Sequence, residues 1–496
     1  MFGELIQGIQ LLGNMQTVTM LLLGSLFGVI IGVIPGLGGI FALAMLLPFV
    51  YTMDLVPGIT LLLSAHAVIN TSGSITSILF GTPGSPGTAA TVFDGYPLNK
   101  QGKASYALGA NLSASCLGGI IGALFLAILI PVIRPVILSF GTPEYFMLTL
   151  LGLSLISVIG EDTSKIKAAI IAVLGLLLST IGMDMSYGVP RFTFDSMYLW
   201  DGLPLVPVVI GLFAIAEMAD LSIQQASAIS EKKQTFSDMW LGFLESFKRW
   251  WLVFRCSVIG TLIGIIPGLG SETANFIAYG HAVQTSKNPK LFGKGAIEGV
   301  IAPESANNSK EGGSLLPTLA LGIPGSAAMA LLLGAFMIWG VQPGPDMIEN
   351  NLPIIYLMVA VLVAGNIIGA LISIPMSWWT IKLTNLKASL MVPIIIVLAT
   401  IGAYVTNNHI GDIIVAFFFG IIGYVMKRYG YSRAIFLIAI VLGGMAEHYL
   451  NLSMRIYDFS FIFRPISMLL LVLIILTWTF PLIKGWFTKI RGTGNE

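Results

Sequence analysis

Gly81-Thr82-Pro83-Gly84-Ser85-Pro86-Gly87 directly follows the apolar run Ser77-Ile78-Leu79-Phe80 and holds three glycines and two prolines in seven residues. In a soluble protein such a stretch is an ordinary loop. In a chain built of hydrophobic spans it is costly, because backbone groups without partners are heavily penalised away from water. Irregular backbone at membrane depth is tolerated where it is buried in protein or lines a water-filled cavity. A second copy reads Gly322-Ile323-Pro324-Gly325-Ser326-Ala327-Ala328. Each copy is preceded by another break, Gly32-Val33-Ile34-Pro35-Gly36-Leu37-Gly38 and Gly264-Ile265-Ile266-Pro267-Gly268-Leu269-Gly270. The breaks therefore form two matched pairs.

The surrounding chain of 496 residues is 56% hydrophobic and 10% charged, with mean hydropathy +0.89. Soluble domains carry charge on roughly a quarter of their residues, so this is an all-α polytopic membrane protein. A net charge of +1 gives no footing for nucleic acid. Cys116 and Cys256 lie in apolar runs, which excludes a disulfide framework or a cysteine metal site. No basic stretch precedes the first apolar segment, so no cleaved signal peptide is expected.

A membrane-crossing helix needs ~20 residues. Uninterrupted spans are expected near 106–133, 143–160, 168–183, 203–222, 353–377, 388–405, 411–427, 434–450 and 465–483. The regions 17–98 and 250–340 are apolar but broken, and they read as re-entrant hairpins and interrupted helices. Basic residues set orientation. Sixteen fall in one set of loops (Lys100/Lys103, Lys165/Lys167, Lys232/Lys233/Lys248/Arg249, Lys382/Lys387, Lys427/Arg428/Arg433 and Lys484/Lys489/Arg491). The alternate loops hold four: Arg134, Arg191, Arg455 and Arg464. The C-terminus is therefore expected in the cytoplasm.

The order of breaks and spans repeats. Residues 1–222 form a first repeat, 223–249 a cytoplasmic linker, 250–450 a second repeat, and 451–496 a final helix and tail. The loop after the first broken region carries Lys100 and Lys103, whereas its counterpart, Val341-Gln342-Pro343-Gly344-Pro345-Asp346, has no basic residue. The halves are thus expected to face opposite ways. Inverted repeats with interrupted helices in matching positions point to a secondary transporter with its site at the repeat interface.

At a helix break, the free N–H groups of the following half-helix favour an anion. Substrate is accordingly expected at Ser74, Gly81, Thr82, Pro83, Gly84, Ser85, Gly322, Pro324, Gly325 and Ser326, with Gly84 and Gly325 letting backbone approach it. Carbonyl, amide and hydroxyl oxygens suit a hard cation such as Na+. The expected cation residues are Gly36, Gly38, Asn70, Thr71, Gly268, Gly270, Glu272, Asn275, Glu304, Asn307 and Asn308. No Lys or Arg occurs in Ser271–Ala282 or Asn70–Asp94, which favours backbone dipoles and co-bound cations over a basic pocket. Glu272 is the leading carboxylate, since an ionisable group within a span is functional by default. Glu304 lies near Lys287, Lys290, Lys294 and Lys310, which suggest a nearby cytoplasmic loop. Single Ser or Thr residues in membrane helices mostly bond to their own helix. His66 alone reads as a packed or hydrogen-bonded histidine. Asp94 reads as a turn cap or a partner of Lys100 or Lys103, and Glu217 and Glu447 as interfacial.

The chain also resembles the large membrane subunit of tripartite tricarboxylate transporters, the TctA family. The carriers in the first half are the Gly32–Gly39 motif, Gly73-Ser74-Ile75-Thr76-Ser77-Ile78-Leu79, Gly81–Gly87, Ala89-Ala90-Thr91, Asp94-Gly95-Tyr96-Pro97 and Gln101-Gly102-Lys103-Ala104. In the second half they are Gly264–Gly270, Ala302-Pro303-Glu304-Ser305-Ala306-Asn307-Asn308 and Gly322–Ser326. The resemblance implies uptake of a carboxylate, a tri- or dicarboxylate, across the bacterial inner membrane, driven by Na+ or H+. It also implies a periplasmic substrate-binding protein and a small membrane subunit as partners, with no cofactor beyond the coupling ion. A TRAP-type or other carboxylate symporter would share the inverted halves, and a channel would need a continuous pore. Neither a His-Glu-x-x-His motif nor a P-loop lysine motif is present, and the four histidines are scattered, so an enzyme is not expected.

The charge pattern yields a direct test. A cysteine placed at Gly344 should react with an impermeant reagent from outside, and one at Gln101 only from inside. Labelling of both from one side would refute the inverted arrangement.

Overall fold

The computed structural model describes residues 2–34, 37–81, 83–137, 139–159, 165–184, 188–223, 236–267, 271–383 and 388–476. In chain order the first helices are α1 (Phe2–Leu12), α2 (Met15–Gly32), α3 (Gly39–Val50), α4 (Leu55–Phe80), α5 (Ala89–Lys100), α6 (Ala104–Ile137), α7 (Thr142–Ile159) and α8 (Lys165–Ser179). A small antiparallel ladder, β1 (Gly182–Met183) with β2 (Pro190–Arg191), follows. Next come α9 (Leu205–Val209), which passes through a π-helical turn at Ile210–Ile215 into α10 (Ala216–Ile223), then α11 (Phe236–Lys248), α12 (Trp250–Ile265), α13 (Ser271–Thr285) and α14 (Glu298–Leu321). The chain continues through α15 (Ala327–Ile338), α16 (Pro345–Asn350), α17 (Leu352–Leu383), α18 (Ala388–Asn407), α19 (Ile410–Arg428), α20 (Arg433–Tyr457) and α21 (Pro465–Leu476).

The protein is an all-α polytopic membrane protein. Among the described residues, six helices are long and apolar enough to cross a membrane: segments of α2, α4, α6, α17, α19 and α20. Helices occupy each of the expected uninterrupted spans as far as the described residues reach. The span at 168–183 ends early, because α8 stops at Ser179 and Gly182–Met183 turn into the short ladder.

Two compact units result, Met1–Ile133 with Leu205–Val425, and Arg134–Pro204 with Met426–Glu496. Each takes segments from both sequence halves. The second unit packs α20 against α7 and α8. Arg191 there forms a two-pronged contact with Glu447 at 2.6 and 2.9 Å, and buried Glu144 accepts from Arg464 Nε at 2.8 Å and Ser467 Oγ at 3.0 Å.

The first unit is organised around α4 and α14. Every residue from Pro57 to Leu79 in α4 and from Gly299 to Ala320 in α14 is buried. Such helices have no solvent face to keep polar, so neither shows an amphipathic stripe. Both end in the same way. Gly81 (φ 68°, ψ 14°) and Gly322 (φ 69°, ψ 14°) adopt the left-handed conformation that closes a helix and that glycine reaches without a Cβ penalty.

Glycines let neighbours approach these two helices closely. On α2, Gly24, Gly28 and Gly32 recur every four residues, and a Cβ on each would meet Leu61 and Ser64, Ala65, or Ile69 and Ser72 of α4. On α12, Gly260 and Gly264 lie the same way against the Ala306 and Lys310 carbonyls of α14. On α6, Gly118 and Gly122 meet the Ser305 and Ser309 carbonyls. On α17, Gly369 meets Val68 of α4. The neighbours of α4 (α2, α17) and of α14 (α12, α6) are thus matching members of the two halves.

Gly28→Val and Gly118→Val should each destabilise the protein by ~1–3 kcal/mol or more, as overpacking does. Gly444→Ala, where an added Cβ meets nothing within 4 Å, should be neutral or stabilise by up to ~1 kcal/mol. Thermal unfolding in detergent checks both directions.

Candidate functional site

α4 and α14 lie side by side and run antiparallel, as the order of their cross-contacts shows. His66 meets Glu311 (2.8 Å), Thr71 meets Asn308 (2.8 Å) and Ser74 meets Glu304 (2.5 Å), so numbers rise along α4 as they fall along α14. Asn70 and Glu311, 241 residues apart, are themselves in contact at 3.4 Å. They precede Gly81 and Gly322 by the same number of residues, so equivalent positions of the two helices touch.

The Pro-Gly tips fold back toward this crossing. After Gly81 the chain returns along α4. A Cβ on Gly84 would lie 2.6 Å from the Gly73 backbone, and Ser85 Oγ donates to Asn70 Oδ1 at 3.3 Å. Gly38, from the earlier break, lies beside Ser85. In the second half a Cβ on Gly325 would lie 2.7 Å from Ser314. Ser314 Oγ is 3.5 Å from Glu311 Oε2, and Gly325 N–H donates to Thr318 Oγ1 at 3.2 Å. A polar chain thus runs Ser85–Asn70–Glu311–Ser314 from one tip to the other. The glycines at 84 and 325 pack onto their own helices, where a Cβ would clash.

Two carboxylates of α14 sit in the seam with different surroundings. Glu311 faces His66 Nε2 at 2.8 Å and accepts from Lys310 Nζ at 3.0 Å and Asn70 Nδ2 at 3.4 Å, so its charge is met by the Lys310 ammonium. Glu304, fully buried, accepts only from hydroxyls among the described residues. Ser74 of α4 and Thr91 of α5 donate to Oε1, and Ser115 of α6 lies 3.1 Å from Oε2. Asn308 Nδ2 donates to Thr71 Oγ1 at 2.8 Å and to Asn366 Oδ1 of α17 at 2.7 Å. Asn275 and Asn307 are buried, yet both polar atoms of each side chain have no hydrogen-bond partner among the described residues. Buried amides nearly always find partners, so these four atoms are available to a ligand.

A model of the tripartite tricarboxylate transporter TctA family matches residues 18–438. The chain belongs to that family. It is 36% identical over 434 residues, 87% of this chain and 86% of the other, to a protein of Agrobacterium vitis described as an uncharacterized 52.8 kDa protein in the TAR-I ttuC' 3' region. It is 39% identical over 197 residues to an uncharacterized protein in the TAR-II ttuC' 3' region of the same organism, covering 40% of this chain and 81% of that one. No solved structure matches it. Membership makes this TctA-family chain the large membrane subunit of a tripartite transport system, and a transport protein by family rather than an enzyme.

The family strings fall on the seam. Ala302–Asn308 is the start of α14's buried stretch, Gly73–Leu79 lies in α4, and Asp94-Gly95-Tyr96-Pro97 lies in α5. Of the expected residues, Asn70, Thr71, Ser74, Ser85, Glu304, Asn307 and Asn308 are buried in this region. Ser326 caps α15 by accepting from Met329 N–H at 3.4 Å. Asn275 lies in α13, which packs on α14. Gly36, Thr82, Gly268 and Gly270 fall outside the described residues, as does the side chain of Glu272.

Several expectations are corrected. Glu304 and Lys310 lie inside a buried helix, away from any loop, because α14 is enclosed by protein. A buried cation, Lys310, does stand in the seam, although it is already engaged by Glu311. Asp94 is bonded to neither Lys100 nor Lys103, and it caps the turn that leads into α14. It is buried and accepts from Tyr279 Oη and from the Gly295 and Ala296 amides, each at 2.8 Å. Glu217 is buried at 8% exposure. Glu311, Thr91 and Ser115 went unnoticed in the sequence. The seven-residue interval between Glu304 and Glu311 was the available signal, since it puts both on one helix face.

Removing one member of the buried pair leaves an uncompensated charge, which costs ~3–5 kcal/mol, whereas replacing both is often neutral. Lys310→Met should therefore lower stability by about that amount, and the double variant Lys310→Met/Glu311→Met should recover most of it. Denaturation of the two variants and the parent gives the coupling directly.

Proposed function

We propose that this subunit carries out secondary, ion-coupled uptake of a tri- or dicarboxylate across the bacterial inner membrane, with Na+ or H+ as the driving ion. Its partners in this reading are a small membrane subunit and a periplasmic substrate-binding protein that delivers the carboxylate. The two halves are inverted in the membrane, the C-terminus is cytoplasmic, and the α4–α14 crossing is the point about which access alternates.

The observation that carries the reading is the convergence of both Pro-Gly tips on one crossing of antiparallel helices, where equivalent residues touch. Such crossings at repeat interfaces are where secondary transporters hold substrate and coupling ion. The substrate carboxylate is taken by the hydroxyls of Ser85 and Ser326, by the tip backbone and by the unpartnered amides of Asn275 and Asn307. Lys310 supplies positive charge nearby, shared with Glu311. The resemblance to a TRAP-type symporter rests on the inverted halves alone, whereas the family match favours the tripartite tricarboxylate system.

Asn307 tests the site most sharply. Its amide has no protein partner, so Asn307→Leu breaks no internal hydrogen bond and should leave thermal stability unchanged or raise it. Carboxylate uptake by the complete tripartite complex in proteoliposomes should fall at least about tenfold, as expected when a hydrogen bond to a charged ligand worth ~1.5–3 kcal/mol is lost. Ser85→Ala and Ser326→Ala should be milder. Normal uptake by Asn307→Leu would move the site elsewhere, and full uptake by this subunit alone would remove the partners from the reading.

A further inference from the structure

The two seam carboxylates differ in what balances their charge. Glu311 has Lys310 and His66. Among the described residues Glu304 has hydroxyls only, at 0% exposure. An ionised carboxylate in a dry site without a cationic partner is heavily disfavoured. A proton or a metal ion would supply the missing positive charge, and the geometry separates them. The hydroxyls of Ser74, Thr91 and Ser115 are already at hydrogen-bond distance from the carboxylate oxygens. A metal ion would have to stand between those oxygens and push them apart, whereas a proton needs no added space.

We propose that Glu304 is the proton-carrying group of this transporter, taking up a proton from one side and releasing it to the other. This deepens the transport reading above and rests on it for the coupling role. The bonding closes for both states. In the acid, Ser74 and Thr91 donate to Oε1, and the Oε2 hydroxyl donates to Ser115 Oγ. Ser115 then donates to Asn111 Oδ1 at 3.3 Å. When the proton leaves to water, Ser115 turns its hydrogen to Oε2 at 3.1 Å, and Asn111 Oδ1 loses that donor. The carboxyl O–H bond breaks, one water accepts the proton, and the seam gains one negative charge.

The loss is transmitted to the crossing, because Asn111 Nδ2 donates to the Thr71 carbonyl at 3.1 Å and Thr71 Oγ1 accepts from Asn308. Glu304 belongs to α14 in the second half, and its three hydroxyls come from α4, α5 and α6 in the first. Its protonation therefore sets how strongly the halves grip one another at this point.

Other titratable groups on the packed elements are engaged elsewhere or do not bond to Glu304. On α5, Asp94 is held by Tyr279 of α13 and by the Gly295 and Ala296 amides. On α4, His66 is on Glu311. Cys116 of α6, Cys256 and Arg255 of α12 and His281 of α13 make no hydrogen bond or ion pair to Glu304. On α14 itself, Glu298 is bound by Arg249, and Lys310 by Glu311.

Infrared difference spectra of the purified protein over a pH titration test the proton site without any substrate. The wild type should show a protonated-carboxyl stretching band that vanishes as pH rises. Glu304→Gln should lack the band, and Ser115→Ala should shift it, because the acid loses its acceptor. A band unchanged in Glu304→Gln, or unmoved in a well-folded Ser115→Ala, overturns the proposal. The complete complex in proteoliposomes tests coupling, with imposed pH and sodium gradients compared using citrate and succinate as probes. A pH gradient should drive accumulation, and Glu304→Gln should flatten the pH profile of substrate exchange. Accumulation that responds to sodium and not to pH overturns the coupling role. If the band behaves as expected but neither gradient moves a carboxylate, the transport reading fails while Glu304 remains a proton-binding group.

Discussion

The structure turns on burying a charged helix. α14 carries Glu304, Lys310 and Glu311 in a stretch with no exposed residue, and isolated charges in such surroundings are prohibitively expensive. The antiparallel partner α4 meets that demand with His66, Asn70 and Ser74 spaced to reach across. Each charge finds a counter-charge or a set of hydroxyls.

Close approach is what makes the seam possible. Helices α2, α6, α12 and α17 bring glycines against the α4 and α14 backbones. Their contacts exclude the gaps into which water would otherwise penetrate. The same feature explains the tips. Gly84 and Gly325 lie flat on Gly73 and Ser314, so each break folds back along its helix instead of projecting away. Ser85 of one tip thereby reaches Asn70, and Gly325 of the other lies on Ser314, which in turn is 3.5 Å from Glu311.

Much of this protein was legible before any coordinates. Composition and the length of the apolar runs established the helical membrane class, and the Pro-Gly duplications located both tips. The Pro-Glu-Ser-Ala-Asn-Asn string pointed to the family and to the helix that carries the site. Asn70, Ser74, Ser85, Glu304, Asn307 and Asn308 were singled out from residue type and position alone. These features are local, written in neighbouring residues and in the cost of exposing backbone to lipid.

What the sequence could not decide was partnership across hundreds of residues. Charge pattern reads Lys310 as the marker of a nearby loop, because a count along the chain takes no account of a charge met by a residue far away in it. Only the tertiary structure sets His66 and Lys310 on Glu311, leaves Glu304 among hydroxyls alone, and turns Asp94 toward Tyr279. The physical reason is that the free energy of a buried charge depends on what surrounds it, and those surroundings are assembled by packing.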